Sequence, residues 1–223
     1  PRLVEVQLTL VRKLVRELNG FGNLYFEVCN EPYFGGVTVD WQHRVVDTVI
    51  EEERRLPRKH LISMNIANDK KKVEDPHPGV SIFNFHYCVP PDTVAMNWNL
   101  DGVIGENETG FRGSHDFLYR SEAWDFITAG GGLYNNLDYS FTPKHADGTF
   151  AEYSSPGGGN PALRRQLGIL KRFFEGFDFV RMTPDNGVIE SVEPKLAAYA
   201  LAQRGRQYAV YVHVPLPKKP KRI

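Results

Sequence analysis

The chain has 223 residues, enough for one large domain or one and a half smaller ones. Its 27 basic and 27 acidic residues cancel, which removes any broad electrostatic case for nucleic acid or an anionic membrane as partner. Two cysteines exclude a disulfide scaffold, and no apolar run is long enough to cross a bilayer.

Taken in chain order, Val4, Leu8, Val11, Val15 and Leu18 step by four and three and predict a helix over 3–18, stopped by Gly20. Leu24 to Cys29 predicts a short buried strand ending in Asn30-Glu31-Pro32. The residue before a proline is pushed out of the helical region, so Glu31 is expected to stay extended. Asp40 reads as the N-cap of a helix from Trp41 to about Arg55, with Trp41, Val45, Val49 and Ile50 inward. His60–Asn65 and Val80–Tyr87 predict two further strands. The stretch from Tyr87 to Gly102 is rich in Pro and Asn, carries Trp98, and reads as a long loop with at most a turn of helix. Gly102 to Gly105 predicts a short strand leading into Glu106, Glu108 and Gly110.

Ser114 then caps a helix to about Thr128, and Gly132–Tyr139 predicts another strand. A second long loop follows, with Gly157-Gly158-Gly159 too irregular for a phosphate loop. Asn160 as cap and Pro161 at the first helical position open a helix whose stripe is Leu163, Leu167, Leu170, Phe174 and Phe177. Leu196–Leu201 and Tyr208–Val214 read as two strands around the turn at 203–206. The basic run Lys218–Arg222 reads as a solvated end. Helices alternating with strands predict an α/β protein with parallel strands.

Two strand-end glutamates, Glu31 and Glu108, suggest glycoside hydrolysis, which uses one carboxyl as acid and another as base or nucleophile. The interval between them holds two to three βα units at roughly 31 residues each, the spacing of an eight-unit barrel. In an open sheet, strand ends three apart would lie about 14 Å from each other at roughly 4.8 Å per strand. Paired chemistry therefore favours a closed barrel. Glu106 precedes Glu108 by two residues and faces the same way if the strand continues, which makes it the alternative second carboxylate. Glu27 alternates onto the same face as Glu31 and reads as a buried, paired structural carboxylate. Cys29 and Cys88 fall on strands two apart, about 10 Å by strand spacing, and are expected to be free thiols.

Phe26-Glu27-Val28-Cys29-Asn30-Glu31-Pro32 and Glu108-Thr109-Gly110 resemble motifs of the retaining glycoside hydrolases built on the (β/α)8 barrel, most of all the family 5 cellulase group. The resemblance spans about Leu3 to Phe177. It implies a TIM barrel, with Glu31 as acid/base at the end of strand four and Glu108 as nucleophile at the end of strand seven. Phe85-His86-Tyr87 is similar to the family's strand-six histidine and tyrosine, although here the two are adjacent rather than one residue apart. By the same resemblance Asn30 would hydrogen-bond the sugar 2-hydroxyl, and His86 and Tyr87 would orient substrate or carboxylate. Tyr134 or Tyr139 stands where the family has a stacking tryptophan. Trp98 and Tyr33 are further aromatic candidates for stacking on sugar rings.

The implied activity is hydrolysis of a β-linked glucan, mannan or smaller glycoside by double displacement, without cofactor or metal. The alternative is a catalytically silent carbohydrate-binding relative. Carbohydrate is the implied partner, and a secreted or periplasmic location goes with the family. On this alignment residues 1–180 hold strands four to eight, with the earlier strands expected upstream in a longer protein. Residues 181–223 would form a hairpin or the start of a β-sandwich.

Overall fold

The computed structural model describes residues 3–152 and 158–216. The Gly157–Gly159 loop lies partly, and the basic run at 218–222 wholly, outside them. Five parallel strands form one sheet in the order β1 (Phe26–Glu27), β2 (Ile62–Asn68), β3 (Ile82–His86), β4 (Val103–Glu108), β5 (Leu133–Tyr134). A separate antiparallel sheet holds β6 (Thr183–Pro184), β7 (Ala197–Gln203) and β8 (Gln207–His213). The α-helices are α1 (Leu3–Leu18), α2 (Pro32–Gly35), α3 (Val39–Glu53), α4 (Asp92–Asn97), α5 (Asp116–Thr128) and α6 (Pro161–Glu175). None of the described helices is long and apolar enough to cross a membrane.

The chain is thus α/β, but the expected (β/α)8 TIM barrel is corrected. The parallel sheet has two ends, β1 and β5, each only two residues long, and it is accompanied by a second, antiparallel sheet. The helix that a barrel requires between successive strands is missing between β2 and β3. That linker reads Asp69-Lys70-Lys71-Lys72-Val73-Glu74-Asp75-Pro76-His77-Pro78. It has no apolar period, and its two prolines block helical backbone.

Two compact units divide the described residues: 3–67, 71–84 and 99–103 in the first, the remainder in the second. In the first unit α1 packs on α3. All five residues of the predicted α1 stripe are buried or half-buried, Leu8 and Val15 most deeply. Trp41 Nε1 donates to Gln7 Oε1 across the helix pair, and Arg16 grips Glu52. The α3 cap is Thr38, whose hydroxyl accepts from the Trp41 N–H; Asp40, the expected cap, sits in the first turn. β1 pairs with β2 with Phe26 opposite Ile62. Ser81, just ahead of β3, donates to the Ile62 carbonyl and accepts from the Val103 N–H.

In the second unit β4 pairs with β5, Glu106 opposite Tyr134. α6 begins as the sequence predicts, with Asn160 Oδ1 accepting from the Leu163 N–H and Pro161 at the first position. Ala123 of α5, Leu170 and Phe174 of α6, and Met182, Leu201 and Ala209 around the antiparallel sheet form one core cluster. The predicted hairpin is β7–β8, gains β6 as a third strand, and packs against α5, where Trp124 stacks on Tyr211.

Candidate functional site

In the first unit, β1 ends at Glu27 and the chain runs through Asn30, which is exposed, to Glu31. Glu31 is not extended. It takes left-handed backbone angles, φ 43° and ψ 51°, and caps the single-turn helix α2. For a residue other than glycine such backbone costs about 1–3 kcal/mol and persists only where surroundings hold it. The hold is visible: the Glu31 N–H donates to Oδ1 of buried Asn65 at 2.9 Å, and its carbonyl accepts from the Phe34 N–H. Tyr33 Oη lies 3.5 Å from Glu31 Oε1. Glu27 is half-buried, and its Oε2 accepts from Asn84 Nδ2 at 2.6 Å and Ser63 Oγ at 3.2 Å. That is the paired structural carboxylate the strand alternation predicts.

In the second unit, β4 continues three residues beyond Gly105, so Glu106 and Glu108 share a face. Their surroundings differ sharply. Glu108 is 22 % exposed; Tyr87 Oη donates to its Oε1 at 2.6 Å, and His86 Nδ1 lies 3.8 Å from Oε2. Consecutive strand residues point to opposite faces. Adjacent His86 and Tyr87 both reach Glu108 because Tyr87 leaves the strand in left-handed backbone, φ 58°. The Tyr87 N–H also bonds the Glu108 carbonyl.

Glu106 is fully buried, and its Oε1 accepts the Cys88 N–H at 2.7 Å. Burial, reinforced by the charge of Glu122, pushes its carboxyl well above the ordinary range. Glu122 is itself held by the Thr109 hydroxyl at 2.8 Å and lies 3.7 Å from the Arg112 guanidinium. Both cysteines are free, and burial raises the Cys88 thiol well above its usual value.

The aromatic candidates separate. Tyr134 packs against the core cluster and donates its hydroxyl to the Tyr119 carbonyl at 2.8 Å, so its ring is structural. Trp98 is 44 % exposed, but it stands just ahead of β4 and beside Gly130, just ahead of β5. That is the N-terminal edge of parallel strands, whereas Glu108 ends β4 at the other edge. The reason is α4, which returns the chain after β3. Tyr139 is exposed and follows the C-terminal end of β5. Phe111, 43 % exposed with its ring centroid 6.1 Å from that of Tyr87, was not singled out by pattern. Neither was Asn65, one of several polar residues in its strand.

The chain matches no family model, no curated protein and no solved structure.

Proposed function

We propose that the chain is a retaining glycoside hydrolase acting on β-linked glycosides, with Glu108 as nucleophile and Glu31 as acid/base. The observation that carries this reading is the contrast between the two β4 glutamates. A nucleophile must be reachable and oriented. Glu108 meets both conditions at a strand end, with Tyr87 Oη on one oxygen. Glu106 is sealed from solvent, and burial raises its pKa, which works against the carboxylate form a nucleophile needs. Supporting it, Glu31 and Glu108 each stand at or just past the carboxyl end of a parallel strand, where ligands of α/β proteins bind.

In the first step a Glu108 oxygen attacks the anomeric carbon while Glu31 gives its proton to the departing glycosidic oxygen, breaking that C–O bond. In the second, Glu31 takes a proton from water, the water oxygen bonds the anomeric carbon, and Glu108 leaves as carboxylate. The Tyr87 hydroxyl keeps the Glu108 carboxylate in line and is released as the ester forms. Asn30 immediately precedes the acid in the chain. Glu31→Gln and Glu108→Gln are each expected to lower kcat on an aryl β-glycoside at least about a hundredfold. Wild-type rates in either variant would refute the assignment.

A further inference from the structure

The first unit contains a cleft of about 330 Å³, at the small end of ligand sites and suited to one sugar ring. Val37, Met64 and Ile66 give it an apolar wall, and Pro32 and Tyr33, the two residues after Glu31, form its near side. Gln42 of α3 also lines it. This side chain is only 4 % exposed, yet its Oε1 is buried without a hydrogen-bond partner. A buried amide oxygen left unpaired is costly, and helix α3 would carry leucine there more cheaply. At the rim Lys71 and Lys72 stand with Glu74 and Asp75, two charges of each sign.

From this geometry we infer that the cleft is a subsite for one neutral pyranose ring, the leaving-group sugar of the substrate. An apolar wall suits the C–H face of a pyranose. A ring hydroxyl is donor and acceptor at once, so it satisfies the Gln42 amide. The balanced rim gives an ionic ligand no advantage. The leaving-group assignment rests on the proposed role of Glu31: the acid protonates the departing oxygen, and Pro32 and Tyr33 join it directly to the cleft. The substrate would then be at least a disaccharide.

The test titrates cellobiose and β-1,4-mannobiose into the Glu108→Gln protein by calorimetry, with and without Gln42→Met or Val37→Trp. One disaccharide should bind, and each added substitution should weaken it about tenfold or more, the loss of one hydrogen bond or of the ring's space. Gln42→Met should not lower Tm, because it removes an unpaired buried acceptor; a merely structural Gln42 would lower it. Binding by neither disaccharide, affinity indifferent to both substitutions, or a fall in Tm of several degrees with Gln42→Met overturns the subsite. Hydrolysis assays on Glu31→Gln and Glu108→Gln report separately on catalysis. Gln42-dependent binding in a protein without hydrolytic activity keeps the cleft as a sugar site and removes the catalytic reading.

Discussion

At the scale of single residues, the decisive pair is Glu106 and Glu108, two positions apart on one strand face. Strand alternation could not rank them, and only the resemblance at Glu108-Thr109-Gly110 favoured Glu108; what separates them physically comes from elsewhere in the chain: Cys88 and Glu122 around one, Tyr87 and solvent around the other. Burial and then Glu122 raise the Glu106 pKa in the folded state, while the unfolded side chain ionises near pH 4.3. The folded state therefore binds the extra proton above that pH, and stability falls as pH rises toward the folded value. Glu106→Gln should raise Tm at pH 7, give no gain at pH 4, and preserve hydrolysis; loss of activity with intact fold would make Glu106 the nucleophile. His60 offers a second titration. Its ring nitrogens face the Glu53 carboxylate at 2.5 Å and the Phe21 carbonyl at 2.7 Å, and the Glu53 bond, then the Phe21 bond, raise its pKa. A raised histidine stabilises fully below its unfolded value of about 6.5 and ceases to as pH rises through the folded value. The urea midpoint of wild type should fall over that window, and His60→Gln should flatten the decline attributable to this pair.

At the scale of elements, helices were legible where period and cap agree. α1 starts and stops where the apolar stripe and Gly20 place it, and α6 starts where Asn160 and Pro161 place it but ends at Glu175, short of the stripe's last residue, Phe177. Strand existence was legible but strand length was not: the apolar runs at 24–29 and 132–139 each form only two residues of ladder. The left-handed backbone of Glu31 was out of reach of local rules. Its hydrogen-bond partner, Asn65, is 34 residues away, and that contact overrides the preference Pro32 imposes. α1 also carries a second apolar stripe. Leu3, Val6, Leu10 and Leu14 are all exposed, opposite the buried Leu8 and Val15. Leu8→Ala should cost about 2–5 kcal/mol in urea unfolding, whereas Leu10→Glu should stay within about 0.5 kcal/mol. Equal costs would mean that the exposed stripe is covered in solution.

At the scale of the whole molecule, the order of elements pointed to α/β, while the motifs pointed to a barrel that the sheet does not form. Parallel α/β order followed from alternating elements, while barrel closure was an argument from chemistry that the two-ended sheet and the helix-free 69–81 linker do not meet. Double displacement still makes one demand: Glu31, four residues past β1, and Glu108, at the end of β4, must serve one glycosidic bond. A 2-deoxy-2-fluoro β-glycoside with a good leaving group tests this most directly, because the fluorine slows the second step and leaves the sugar on the nucleophile. Peptide mass spectrometry after inactivation should find one sugar ester, on Glu108. A label on Glu106, or an active protein that never acquires one, would contradict the account.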